Sequence, residues 1–244
     1  MSTKILFVFE GEKTERLITD NLTQFFVNEN TVITCAYCKT IYNMYAEILC
    51  DEDLDTFNLV KDIEANKEVL KDFKRSDFAE IYMFFDYDGH ATNASDKKLN
   101  DLLSVFNNET EKGKLYISYP MVEALKHIEC FDAFKDLKVA CQDLLCYKKS
   151  VNTTCINGLM NFSHYNLDIW KKITTTHLKK MNQIVSNSYE FPATIIDQLA
   201  IFNKQLEKYI NIDQTVAVLS AFPVFLHDYY GNEEIKKRIV GISE

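Results

Sequence analysis

The chain has 244 residues, 47% of them apolar, which suits one large domain or two small ones with a substantial core. A net charge of −9 argues against a surface coated with phosphate-binding lysines. Six Gly and three Pro leave little material for long disordered linkers, no run of 18 apolar residues is present to span a membrane, and the N-terminus lacks a signal-peptide core.

The first predicted element is the run KILFVF at 4–9, a strand buried on both faces. It ends in Glu10-Gly11-Glu12, and a helix is predicted over 14–27 with Thr14 as its N-cap. Residues 31–39 are β-branched and aromatic and read as a strand. This run contains Cys35 and Cys38, a CxxC with no second pair at matching distance, so both read as buried small hydrophobes. Cys141 and Cys146 read the same way. Seven cysteines without a secretory signal point to reduced thiols in a cytoplasmic protein.

Residues 42–50 and 57–73 look helical, with Leu59, Ile63, Leu70 and Phe73 on one face of the second. Residues 79–85 form another buried strand, ending in Asp86-Tyr87-Asp88-Gly89-His90. A helix over 95–106 carries Leu99, Leu102, Leu103 and Phe106, and a strand follows at 114–118. A short helix is expected after Pro120, with Pro120 at its first position and Glu123 in its first turn. The β-α-β alternation predicts an α/β fold with a mainly parallel sheet flanked by helices over 1–130. It stops there. Residues 164–187, 193–210 and the tail from 214 predict a helical C-terminal region, 131–244. Trp170, Ile173, Leu178, Met181 and Ile184 are its expected buried set.

In an open parallel sheet, functional groups collect beyond the carboxyl ends of the strands. Two strands here end in acids, Glu10 and Glu12 after the first, Asp86 and Asp88 after the later one. Carboxylates gathered at one point repel, and a hard divalent cation such as Mg²⁺ or Mn²⁺ relieves the repulsion through oxygen ligands. Gly11 and Gly89 let the backbone approach a ligand closely. His90 sits beside the expected metal. Glu123 has two readings, a helix-capping carboxylate or an additional metal ligand or general base.

Charge divides unevenly. Residues 1–130 hold 14 Lys/Arg against 24 Asp/Glu, a net of −10, and residues 131–244 hold 13 against 12, a net of +1. Lys148, Lys149, Lys171, Lys172, Lys179 and Lys180 face only Asp168 within 148–180. They read either as a solvated helix face or as a phosphate track carrying nucleic acid to the acidic centre. His164 and His177 nearby carry no functional expectation.

ILFVFEGEKTE, with a later hydrophobic strand ending in DxD, resembles the Toprim domain of topoisomerases, bacterial primases and OLD- and RloB-type nucleases. The likeness covers roughly residues 4–125, and ILFVFEGEKTE in particular looks like the opening of RloB-like and related abortive-infection proteins. It implies a metal-dependent fold acting on phosphodiester bonds, with the family's glutamate at Glu10 and its aspartates at Asp86 and Asp88. The segment Ser118-Tyr119-Pro120-Met121-Val122-Glu123 is similar to one in RloB-like proteins and keeps Glu123 among the catalytic candidates. The resemblance implies a nuclease in anti-phage defence, with tRNA or phage DNA as substrate and an ABC-type ATPase as partner, and is compatible with a homo-oligomer. Two other readings stand beside it: a Mg²⁺-binding receiver-like signalling module using Asp86 and Ser118, and a non-catalytic partner subunit.

Overall fold

The structure is a computed structural model and describes residues 3–28, 30–38, 41, 42, 45, 55–87, 95–141 and 144–240. The chain divides into two compact units, Met1–Phe85 with Ala91–Tyr116, and Asp86–His90 with Ile117–Glu244. Among the described residues, no helix is long and apolar enough to cross a membrane.

The first unit is an α/β layer built on a five-stranded, mainly parallel sheet of order β2-β1-β3-β5-β4. Its strands are β1 (Thr3–Phe9), β2 (Thr31–Tyr37), β3 (Glu80–Asp86), β4 (Asn107–Asn108) and β5 (Gly113–Ser118). The continuous apolar runs of β1 and β3 explain their central places, since Leu6 through Phe9 have no exposed surface and Ile81 through Phe85 are buried. Each such side chain contributes roughly 1.5–3 kcal/mol of burial. Phe84 packs on Phe7 at 5.0 Å, Phe9 at 5.5 Å and Tyr116 at 5.6 Å between ring centroids. The two-residue β4 turns back antiparallel on β5 and was not anticipated from the sequence.

Helix α1 (Thr14–Phe26) follows β1 and buries Ile18, Leu22 and Phe26. Its cap position falls on Lys13, one residue before the expected Thr14. The single helix expected over 57–73 is instead broken. Helix α2 (Thr56–Asp62) is capped by Asp55, whose side chain accepts from the Phe57 amide at 2.9 Å. Ile63 is extended, a 3₁₀ turn covers Glu64–Asn66, and α3 spans only Lys67–Leu70. The buried set is Phe57, Val60, Asn66 and Leu70; of the expected face only Leu70 is buried, and Leu59, Ile63 and Phe73 are half-buried. Helix α4 (Asp96–Val105) matches expectation, with Leu99, Leu102 and Leu103 buried and Ser95 capping the Lys98 amide. The helix expected at 42–50 lies largely outside the described residues.

The second unit is mainly helical. It contains α5 (Leu144–Thr154), α6 (Leu167–Ser186), α7 (Gln198–Gln205), α8 (Ala221–Tyr230) and α9 (Asn232–Val240). Trp170, Ile173, Leu178, Met181 and Ile184 of α6 are fully buried, as their spacing predicts. Asn166 caps α6 by accepting from the Ile169 amide at 2.9 Å. The sequence reading missed a two-stranded antiparallel sheet, β6 (Lys138–Ala140) with β7 (Thr215–Ala217), and the π-helical turn Leu206–Ile210 that follows α7.

Candidate functional site

Strands β1 and β3 are adjacent and parallel, with Phe9 opposite Phe84, so both deliver the chain that follows them to one edge of the sheet. Glu10 follows β1 and is half-buried. Gly11 has a local reason to be glycine. Its amide donates to Glu15 Oε1 at 3.1 Å, and a Cβ at this position would lie 2.7 and 2.8 Å from the two Glu15 carboxylate oxygens. Glu15, in the first turn of α1, is buried. A carboxylate there is favoured by the helix dipole and satisfies an amide at the strand-to-helix turn. Part of the EGEKTE motif therefore builds the turn itself, with Glu12 exposed beside it.

Asp86 ends β3 and belongs to the second unit. Beyond it the Tyr87 amide donates to the Ser118 carbonyl at 2.9 Å, and the Tyr87 ring packs on Tyr119 at 5.7 Å and Phe202 at 6.4 Å. Asp88, Gly89 and His90 lie outside the described residues. The Ser118 hydroxyl is buried and accepts from the Ala221 amide at 3.3 Å. Tyr119 pairs antiparallel with Leu219 through two backbone bonds of 2.8 and 3.0 Å.

Glu123 sits on a 3₁₀ turn, Val122–Leu125, and not on a helix begun by Pro120, which lies two residues before the turn. The carboxylate is nearly fully buried and receives the Lys148 ammonium at 3.0 Å. That lysine side chain remains 62% exposed, so it reaches in from the surface to neutralise the acid. Tyr147, the neighbour of Lys148 on α5, is buried and has its hydroxyl held well above the usual tyrosine range. Burial is the main cause, followed by the negative charges of Glu123 and Asp86. These two carboxylates thus act on one hydroxyl within the second unit. The Tyr147 hydroxyl is hydrogen-bonded to His127 Nδ1 at 2.9 Å, and His127 Nε2 faces a Glu129 oxygen at 3.5 Å. Burial lowers the His127 pKa against the opposing pull of Glu129, leaving the ring neutral at neutral pH.

The six expected phosphate-binding lysines do not form one set. Lys148, Lys149 and Lys172 are exposed, and Lys171 and Lys179 are half-buried. The Lys172 ammonium lies 4.0 Å from the centre of the Phe131 ring. Lys180 corrects the sequence reading. It is buried and donates to the carbonyls of Phe134 at 3.2 Å, Leu137 at 3.1 Å, and Lys135. Desolvation pulls its pKa down to about 8. This ammonium closes a turn of the protein's own backbone and is not presented to a polyanion. His177 is a buried core histidine with a pKa lowered to about 3 by desolvation. Cys35 is partly buried with its thiol pushed up to about 12 by desolvation, and Cys38 is buried, in keeping with unreactive thiols. Cys146 departs from expectation and is exposed.

Carboxylate oxygens are the donor chemistry that suits a hard divalent cation. Among the described residues, however, no group of three or more His, Cys, Asp or Glu side chains is placed to hold a metal ion. The described residues alone do not complete such a site, and Asp88 lies outside them. Neither the Tyr147–His127 pair nor the helix α5 that carries Tyr147 was anticipated. The available signal was a tyrosine and a lysine side by side, 20 and more residues from an isolated His. No family model, no curated protein and no solved structure matches this chain.

Proposed function

We propose that this chain is a metal-dependent nuclease of Toprim type, cutting phosphodiester bonds of tRNA or phage DNA in bacterial anti-phage defence with an ABC-type ATPase as partner. The observation that carries the proposal is the parallel pairing of β1 with β3, because the acid-bearing segments of both motifs follow strands that end at one sheet edge. In this reading Glu10, Asp86 and Asp88 hold Mg²⁺ or Mn²⁺. The cation, when bound, supplies polarisation of the phosphoryl oxygen and a lowered pKa for an attacking water.

The remaining roles belong to the chain. Glu10 accepts a proton as general base or completes the ligand set, and the tight Gly11 turn fixes its backbone. Glu123, ion-paired with Lys148, holds its buried carboxylate near enough to the Tyr147 hydroxyl to disfavour loss of that proton. Lys149, Lys171, Lys172 and Lys179 offset the acidity of the first 130 residues toward a polyanion.

The test is cleavage of bulk tRNA and of plasmid DNA by wild type, Glu10→Ala and Asp86→Ala, with Mg²⁺, with Mn²⁺ and with EDTA. Metal-dependent cutting by wild type, reduced about 100-fold or more in both variants, supports the reading, in line with removal of a group that stabilises charge in the transition state. Cutting that survives both substitutions removes this site, and inert wild-type protein on both substrates removes the activity.

A further inference from the structure

A cleft of about 320 Å³ in the second unit is lined by His127, Val139, Ala140, Cys146, Tyr147 and Ser150. Its volume falls at the lower end of small-molecule sites. The walls at Val139 and Ala140 are apolar, Ser150 and Cys146 stand at the exposed rim, and the buried His127 and Tyr147 supply the polar groups inside. These side chains come from the turn after Glu123, from β6 and from α5, so three separate segments converge on one space.

The polar groups inside are uncharged but versatile. In the Tyr147–His127 bond either the hydroxyl donates to Nδ1 or the ring N–H donates to the hydroxyl. One arrangement leaves tyrosine lone pairs to accept from a ligand, and the other leaves the tyrosine proton to donate. The outer edge of β6 adds fixed partners. Leu137 and Cys141 bond across to β7, through Val218 N–H to Leu137 O and Cys141 N–H to Gln214 O. The alternation of an antiparallel ladder then turns the N–H and C=O of Ala140 away from β7, beside the cleft. Anions are disfavoured here, since the Glu129 carboxylate faces His127 Nε2 at 3.5 Å and no cation lines the cleft among the described residues. A ligand must therefore turn a neutral, hydrogen-bonding, partly apolar portion inward and keep any phosphate outside, in solvent.

We propose that this cleft is a nucleobase pocket, in which the base lies against Val139 and Ala140 and its polar edge is read by Tyr147, His127, Ser150 and the backbone of Ala140. The pocket deepens the nuclease reading by giving it a base-recognition site, and it rests on that reading only for the identity of the strand. The base comes either from the nucleic acid to be cut or from a free nucleotide that regulates the protein.

The experiment is direct binding of adenosine, guanosine, cytidine and uridine to the full chain by calorimetry, with ribose 5-phosphate as the base-free control. At least one nucleoside binds saturably and ribose 5-phosphate does not. Tyr147→Phe weakens binding about tenfold, the scale of one lost hydrogen bond. Ser150→Trp, at an exposed position where folding is not at risk, fills the cleft and abolishes binding. An oligonucleotide that displaces the nucleoside identifies the base as the strand's own, and simultaneous binding of both identifies a free nucleotide; either supports the pocket. Absence of saturable binding by all four nucleosides, equal binding of ribose 5-phosphate, or full affinity in Ser150→Trp overturns it. No phosphodiester is cut in this measurement, so a protein that binds but does not cleave sinks only the nuclease reading, and one that cleaves but does not bind sinks only the pocket.

Discussion

Gly11 and His177 show how single residues carry constraints of opposite kinds. Gly11 is fixed by space, because any side chain there meets the Glu15 carboxylate that already accepts the Gly11 amide. Gly11→Ala is expected to cost about 0.5–1.5 kcal/mol, because the Glu15 carboxylate, the end of a flexible side chain, must turn aside and give up the Gly11 amide. Glu15→Ala loses the hydrogen bond and the favourable charge at the start of α1. The double variant removes the clash as well, so its loss falls short of the sum of the two single losses, read from chemical denaturation of all four proteins. Losses that add to within about 0.5 kcal/mol would show that the two residues do not meet. His177 is fixed by charge. Its Nδ1 accepts the Ser220 amide at 3.2 Å, and the Phe134 ring covers it at 4.8 Å. Desolvation, with smaller contributions from Lys180 and His127, outweighs the Leu125 carbonyl and brings the folded pKa to about 3 from an ordinary 6.5. Between those values the unfolded chain binds a proton that the folded one refuses, so stability falls as pH falls through that window. His177→Asn keeps an acceptor for Ser220 and removes the titration. From pH 7.5 to 4.5 the wild type should lose stability relative to this variant by as much as about 1.4 kcal/mol per pH unit. His127 and His227, also lowered by burial, are common to both proteins and cancel in the difference. Parallel stability curves would contradict a buried neutral His177.

At the scale of elements, what the sequence made legible followed from hydrophobic period, and what it hid followed from long-range bonds. β1, β3, α1, α4 and α6 have apolar runs or faces long enough to declare themselves. The 57–73 stretch has an apolar period too, yet its helix is interrupted at Ile63. Asn66 supplies a reason that local pattern cannot contain. Its side chain accepts from the Tyr37 amide at 2.8 Å and donates to the carbonyls of Tyr37 at 2.8 Å and Val60 at 2.7 Å. This asparagine is fully buried and closes the end of β2. Strands β4, β6 and β7, of two or three residues each, are too short for alternation to register. The candidate site divides in the same way. Acids after buried strands were visible because parallel sheets place function at those ends. The Tyr147–His127 pair was not, because it joins residues 20 apart across a turn and a helix whose apolar face is weak.

At the scale of the whole molecule, the nuclease activity proposed above asks a chain with a net charge of −9 to hold a polyanion with few cations, so each exposed lysine would count. The structure separates those able to serve from the one that is not. Lys149, Lys171, Lys172 and Lys179 keep some or much of their surface in solvent, whereas Lys180 is committed to three backbone carbonyls. Counterion release turns this into a number. Each phosphate contact steepens the fall of log K with log[salt] by about 0.9 on duplex DNA and about 0.7 on a single strand. If all four lysines are contacts, replacing them together by Gln flattens the slope by about 3–4 on duplex DNA, measured by fluorescence anisotropy at several salt concentrations without divalent metal. Lys180→Met leaves the slope as it is and lowers only thermal stability, since the three carbonyls lose their donor. Lys148→Gln belongs between these cases. It removes a cation that is 62% exposed, and it also strips a buried Glu123 of its partner, so lost stability accompanies any change in slope. An unchanged slope in the fourfold variant would take the basic helices out of nucleic-acid binding, and a slope lowered by Lys180→Met would mean that this ammonium leaves its carbonyls to meet a phosphate.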